Sequence, residues 1–305
     1  MRIVFMGTPQ FAVPILEKLI EHHEVIMVVT QPDKLVGRKR VLTAPPVKEL
    51  ALKHHIDVFQ PYKLSQDYQT IIDLKPDYIV TAAYGQMLPR ELITKIHAIN
   101  IHGSLLPLYR GGAPIQKAIM NLDHETGISI MKMEYKMDSG DVYYQESIPI
   151  KETDTTTTLT KKLSILGSMM IIEYLNNIEK YPPVKQDENL VTFAYNIQFN
   201  DQIIDWNQTS DQINAHIRAM QDEPGAITYL NNQIIKIYET RKSAIISKEA
   251  PGTIVSLDKK IIVKTKDSAL EILKLQPAGK RVMRTIDFLN GQNIMQVNDK
   301  LGKEE

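Results

Sequence analysis

The sequence predicts a two-domain α/β protein, with a doubly wound, parallel-rich sheet in the N-terminal part and a small β-barrel in the C-terminal part. Three observations predict it. The chain's 305 residues exceed the usual size of one domain, so two units of about 100–200 residues are expected. In the first half, short apolar runs alternate with segments of helical period, the pattern of a sheet covered by helices on both faces. After residue 226 the pattern changes to five closely spaced β-type runs, enough for a small barrel.

Taken in order, residues 3–6, 25–30, 78–83 and 98–101 are apolar or β-branched stretches that read as buried strands. Between them, residues 11–20, 47–54 and 66–74 carry apolar side chains at helical spacing, with Ser65 read as an N-cap and Lys75-Pro76 as a stop. In such a Rossmann-like sheet, ligands bind beyond the carboxyl ends of the strands. Attention therefore falls on the segments after Met6, Thr30, Ala83 and Ile101. Residues 128–133 alternate and 142–148 are β-rich, which predicts a hairpin extending the sheet around Met137-Asp138-Ser139-Gly140-Asp141. Leu159, Leu163, Leu166 and Met170 place one apolar stripe along a long helix over 155–176. Tyr181-Pro182-Pro183 and the polar run 185–189 open a linker. The expected division is a catalytic domain over 1–184, a linker over 185–205 and an OB-like domain over 206–305. That last domain would hold a helix over 212–220 and strands over 227–230, 233–239, 253–257, 261–266 and 270–276.

Composition narrows the function classes. Apolar residues at 43% and charged residues at 24% match globular averages, so disorder is not expected. The absence of cysteine removes disulfides, thiolate nucleophiles and Cys-type zinc sites together. No apolar run approaches about 18 residues, so a cytoplasmic protein is expected. The formal net charge is zero, yet residues 236–284 hold twelve Lys and Arg against five Asp and Glu. A local basic surplus on a barrel suits phosphate contacts, while a solvated Lys-rich surface is the simpler alternative. The same two readings apply to the loop over 31–40, which carries Arg38, Lys39 and Arg40 beside Gly37.

Motifs for a P-loop, a zincin, a serine hydrolase and a dinucleotide fingerprint are all missing. In contrast, Asn100 and His102 lie two apart at a strand's carboxyl end, so their side chains share one side of the pleat. A carboxamide donor beside an imidazole is what acyl transfer to an amine needs, since an oxyanion develops and a proton must leave. A satisfied histidine at a strand end is the bland alternative. Asp138, in its polar turn, could orient or charge the imidazole if the fold brings the two together.

The motifs Asn100-x-His102, Ser104-Leu105-Leu106-Pro107, Tyr109-Arg110-Gly111-Gly112-Ala113-Pro114-Ile115 and Met137-Asp138-Ser139-Gly140-Asp141 together resemble the folate-dependent formyltransferases. The likeness extends from Val4-Phe5-Met6-Gly7-Thr8-Pro9 to Asp287-Phe288-Leu289-Asn290-Gly291, and the basic loop and C-terminal domain resemble the tRNA-specific branch. The resemblance implies 10-formyltetrahydrofolate as formyl donor and initiator methionyl-tRNA as acceptor, with no metal, no membrane and a monomeric enzyme. It implies that Asn100 hydrogen-bonds the formyl oxygen, that His102 stabilises the oxyanion, and that Asp138 holds His102 charged and helps accept the amine proton. It further implies that Ser104, Leu105, Leu106 and Pro107 bind the folate and that Arg38, Lys39 and Arg40 engage the tRNA. Two departures are Leu108, where the family commonly has Arg, and Asp222-Glu223 before Pro224-Gly225, where it commonly has Trp. The readings left as competitors are a related formyltransferase acting on a small amine, a formyl-folate hydrolase and an RNA-binding protein without catalysis.

Overall fold

Nine strands form in the N-terminal half: β1 (Arg2–Gly7), β2 (Glu24–Val29), β3 (Lys34–Val36), β4 (Val41–Thr43), β5 (Val58–Phe59), β6 (Tyr78–Ala82), β7 (His97–His102), β8 (Glu125–Lys132) and β9 (Val142–Pro149). The computed structural model describes residues 1–37, 39–291 and 294–303. Seven of these strands make one sheet in the order β5-β2-β1-β6-β7-β8-β9. The first five of that order run parallel, and β8 and β9 add an antiparallel edge. Ile3, Val4, Phe5 and Met6 on β1 have no exposure, as a strand covered on both faces requires.

The chain moves outward from β1 to β2 and β5, then returns to the other side of β1 for β6. The connections therefore diverge between β1 and β6, and this is where an open α/β sheet leaves a crevice. Thr8, just after β1, donates its hydroxyl to Tyr84 O at 2.9 Å and so ties the two diverging loops together.

The expected helices over 11–20 and 47–54 form, and the next one forms in two pieces. The stretch expected as one helix over 66–74 is two short helices, Leu64–Asp67 and Gln69–Asp73, and Ser65 lies inside the first of them instead of capping it. The basic loop after β2 is a hairpin of β3 and β4, paired through Lys34–Thr43, Leu35–Leu42 and Val36–Val41. The long helix Thr156–Asn176 carries the expected stripe, with Leu159, Leu163, Leu166 and Met170 all buried. Ser164 donates to Phe11 O at 2.6 Å. A Cβ at Gly167 would stand 3.0 Å from Ile101 Cγ2, tighter than ordinary contact, so glycine here lets the helix pack closely on β7.

Contacts divide the chain into two compact units, one of Met1–Pro114, Glu125–Pro149 and Thr160–Tyr195, the other of Ile115–His124, Ile150–Leu159 and Asn196–Glu305. The second unit contains an antiparallel, half-barrel sheet of β10 (Ala226–Leu230), β11 (Gln233–Ser243), β12 (Ile254–Ser256), β13 (Ile261–Lys264), β14 (Ala269–Pro277) and β15 (Met283–Arg284). Its order is β10-β11-β14-β13-β12, with β15 on β14. The helix Ser210–Met220 starts two residues before the apolar pattern, because Thr209 and Gln212 form a capping box. Ile213, Ile217 and Met220 from this helix pack with Ile237, Ile261, Leu270 and Leu275 into one core. Trp206 joins the core and satisfies its indole N–H on Thr228 Oγ1 at 2.9 Å.

The stripe on Thr156–Asn176 predicts an asymmetric response to truncation. Leu163→Ala, at a fully buried position, should cost about 2–5 kcal/mol of stability. Ile165→Ala, two residues on and 46% exposed, should stay within about 0.5 kcal/mol. Urea unfolding monitored by circular dichroism checks both; equal losses would contradict the assigned face.

Candidate active site

Strand alternation sends Asn100 and His102 to one face of β7 and Ile101 to the other, against Gly167. Asn100 is fixed by its neighbour on β6. Thr81 Oγ1 donates to Asn100 Oδ1 at 2.8 Å, and also lies 3.1 Å from Ile99 O. With Oδ1 occupied, the Nδ2 hydrogens of Asn100 are the groups left to meet a substrate oxygen.

His102 is 5% exposed. Its Nε2 lies 3.0 Å from Tyr109 O. A carbonyl only accepts, so Nε2 carries hydrogen and the exchangeable lone pair sits on Nδ1. Nδ1 faces Asp138 Oδ2 at 3.7 Å. That separation exceeds a direct hydrogen bond, so the two groups interact by charge or through a bridging water. A proton arriving at Nδ1 would be held between ring and carboxylate.

Asp138 is placed by the loop that follows β7. Gly111 N donates to Asp138 Oδ2 at 2.8 Å. Gly111 has φ +129°, and a Cβ there would lie 2.5 Å from Ala194 O, so no other residue fits. The loop is itself pinned by the segment ending the first unit: Tyr109 N donates to Thr192 Oγ1, Arg110 N to Thr192 O, and Ala194 N to Arg110 O, all within 2.8–2.9 Å. Arg110 is fully buried; Nε donates to Gln186 Oε1 at 3.0 Å and Nη2 to Glu188 Oε1 at 2.8 Å. Gln186 in turn donates to Asp138 O at 2.8 Å and Gly140 O at 2.7 Å. Hydrogen bonds from Arg110 and then from Lys136 hold the Glu188 carboxyl below the usual carboxylate range.

The stretch Ser104 to Pro107 is built into the loop. Ser104 donates its hydroxyl to Leu108 O at 2.6 Å, and Ser104 O accepts from Ser129 Oγ at 2.6 Å. Ser104 and Leu106 are buried, Leu106 against Met131 and Val142, while Leu105 and Pro107 are half-buried. Ser104 therefore shapes the stretch, and its hydroxyl is already committed. Lys39 and Arg40 are exposed at the turn of the β3–β4 hairpin, and Arg38 lies outside the described residues. Leu108 is 40% exposed.

A folate donor is tested by the polar groups that this crevice leaves unmet. Asn100 Nδ2 is one. Tyr84, on the segment after β6, packs in the apolar core with Ile79, Leu88 and Leu92, and burial pushes its pKa up to about 12, so its hydroxyl is not offered to a ligand. Asn100 Nδ2 fits a ligand with a carbonyl oxygen at the carboxyl end of β7. Among the described residues no three His, Asp or Glu side chains gather where a metal could bind, and no helix is long and apolar enough to cross a membrane.

Sequence reasoning singled out Asn100, His102 and Asp138 but missed Thr81, Gln186 and the carbonyl of Tyr109. Thr81 carried a signal, since a threonine at the carboxyl end of an otherwise apolar strand is a polar group in a buried place. Gln186 carried none, because its partners lie 48 and 46 residues away.

Two family models match the chain: formyl transferase over residues 1–175 and formyl transferase, C-terminal domain, over residues 196–293. Methionyl-tRNA formyltransferase of Bacillus subtilis is 46% identical over 310 residues, covering 99% of this chain and 98% of that protein. Among solved structures, methionyl-tRNA formyltransferase from Clostridium thermocellum aligns with a TM-score of 0.59 at 17% identity, over 89% of this chain and 98% of that one. HypX from Aquifex aeolicus in complex with tetrahydrofolic acid aligns with a TM-score of 0.65 at 17% identity, over 98% of this chain and 50% of that one.

The ion pair behind the loop predicts a pH signature. A carboxyl whose pKa is lowered on folding adds stability above its ordinary value of 4.5, and loses it as pH falls through the folded value. Glu188→Gln should lower the thermal midpoint at about pH 7 and lower it less at about pH 3. An equal loss at both pH values would show that the carboxylate charge contributes nothing.

Proposed function

We propose, for a chain that belongs to the formyl transferase family in both of its parts, that the site at the end of β7 moves the formyl group of 10-formyltetrahydrofolate onto the amino group of methionyl-tRNA. The observation that carries the chemistry is the pairing of a buried imidazole with a carboxylate, His102 Nδ1 to Asp138 Oδ2 at 3.7 Å, beside a carboxamide with free donors. The likeness to methionyl-tRNA formyltransferases over nearly the whole chain carries the acceptor. In this reading the acceptor is the initiator tRNA, the product serves translation initiation, and the enzyme works as a cytoplasmic monomer.

Formyl transfer joins the amine nitrogen to the formyl carbon and breaks that carbon's bond to the donor nitrogen. The amine gives up one proton and the donor nitrogen gains one. Negative charge builds meanwhile on the formyl oxygen. Asn100 Nδ2 donates to that oxygen, a contact that strengthens as the charge grows. His102 supports the same charge as a cation, since its Nε2 hydrogen is committed to Tyr109 O. Asp138 stabilises the imidazolium and receives the amine proton through the gap at Nδ1. Burial of His102 lowers the local dielectric and strengthens these interactions. Ser104, Leu105, Leu106 and Pro107 act as the folate-side wall, through main chain and shape.

The working division assigns catalysis to residues 1–184, a linker to 185–205 and tRNA contact to an OB-like domain over 206–305. The basic stretch 236–284 supports that last role only through its unpaired members. Arg241 is paired to Glu271 at 2.9 Å and Lys242 to Asp211 at 2.6 Å. Lys274, Lys280, Arg281 and Arg284 form no ion pair among the described residues. Lys39 and Arg40, exposed on the β3–β4 hairpin, add further cationic groups, and Arg38 precedes them in the sequence.

His102→Ala and Asp138→Asn should each reduce turnover by about 10²-fold or more, because acid–base and oxyanion groups contribute on that scale. Steady-state formylation of methionyl-tRNA measures this, and a loss under threefold in either variant would remove that residue from the mechanism. Lys39→Ala and Arg40→Ala should instead weaken tRNA binding and reduce the dependence of log K on log salt by about one unit per charge removed. Filter binding at several salt concentrations reads this slope. An unchanged slope would place the hairpin outside the interface.

A further inference from the structure

We propose that Gln186 and Arg110 are positioning residues that hold Asp138 beside His102, so that the polar run after the Pro-Pro turn belongs to the formyl-transfer site. The inference rests on the reading of Asn100, His102 and Asp138 as the reacting groups.

Asp138 has φ +46°, a left-handed conformation that Asp adopts more readily than most residues. Two contacts from outside the turn fix it there, one at each end of the residue. Gly111 N takes the carboxylate oxygen, while Gln186 Nε2 takes the main-chain oxygen of Asp138 at 2.8 Å. The second hydrogen of the same amide goes to Gly140 O at 2.7 Å, so one side chain spans the turn.

The amide itself cannot turn over. Its Oε1 accepts from Arg110 Nε at 3.0 Å. A flip would set oxygen against two carbonyls and an NH2 against a guanidinium, and all three hydrogen bonds would become repulsive. Arg110 is locked in turn. Its side chain has no exposure, its main chain is bonded on both sides to Thr192 and Ala194, and its neighbour Gly111 is the donor to the carboxylate. Arg110 therefore reaches Asp138 twice, through the next peptide N–H and through Gln186.

The cost of this arrangement argues that geometry is what it provides. Arg110 Nη1 is buried without a partner, and an unmet buried donor costs about 1–3 kcal/mol. An apolar side chain would fill the same space without that penalty. What it would lack is the rigid fork that fixes Gln186 and Glu188 at once. Precision matters here because a misplacement near 1 Å costs a reacting pair up to about 100-fold in rate, and the His102–Asp138 gap is already 3.7 Å.

The test measures kcat and both KM values for Gln186→Leu, Gln186→Glu, Asp138→Asn and the double variant Asp138→Asn/Gln186→Leu. Glutamate keeps the size of the side chain but offers no donor to the two carbonyls, so it decides the matter if the leucine variant does not fold. Each single Gln186 variant should lose about 10–100-fold in kcat with both KM values within about threefold of the parent. The double variant should be no slower than Asp138→Asn within about threefold, because Gln186 acts through Asp138. Parental kcat in the Gln186 variants, or losses that multiply in the double variant, would overturn the proposal while leaving the site reading intact. A parental rate in Asp138→Asn would overturn the site reading and this proposal with it.

Discussion

The hydrogen bond from Gly111 N to Asp138 Oδ2, 2.8 Å long, is the constraint on which the site depends. It brings the turn after β8 against the loop after β7, and so sets a carboxylate beside a buried histidine. Asp138 sits in a left-handed conformation, and Gly111 sits where a Cβ would strike the carbonyl of Ala194. Each unfavourable feature is offset by the other's hydrogen bond and by the chain packed behind them. Tyr109, in the same loop, is left-handed as well, at φ +62°.

The sheet explains why the strain is tolerated. Asn100 and His102 project from a strand paired on both sides, to β6 and to β8, so neither side chain depends on a flexible loop for its position. The antiparallel addition of β8 supplies Ser129, opposite His102 in the register, whose hydroxyl ties the loop at Ser104 and Leu106. Rigid strands fix the donor and the imidazole, and loops tied to those strands bring in the carboxylate.

The parts of this arrangement that were legible in the sequence are the ones with a period. Apolar runs marked β1, β2, β6 and β7, and the spacing of Asn100 and His102 set both on one face. The stripe from Leu159 to Met170 marked the long helix. Elements without a period were not legible: β5 has two residues, the helix Arg90–Lys95 has six, and the β3–β4 hairpin exposes Leu35, Val36, Val41 and Leu42, so no buried face marked it. The helix around Ser65 broke in two because each piece is short and takes its place from packing of Leu64 and Ile71, both fully buried. Gln186 was illegible for a different reason. An amide that works by bridging distant carbonyls leaves no local pattern, and its segment read as a polar linker.

Chemistry and acceptor come from different places in this account: the first from the geometry at His102, the second from likeness across the whole chain. One experiment addresses both. Purified protein is mixed with labelled 10-formyltetrahydrofolate and, in parallel, with methionyl-tRNA, with small primary amines and with no acceptor. The account predicts label in N-formylmethionyl-tRNA, matched mole for mole by loss of donor, and little transfer in the other two mixtures. Preferential formylation of small amines, or formate release without any acceptor, would contradict it.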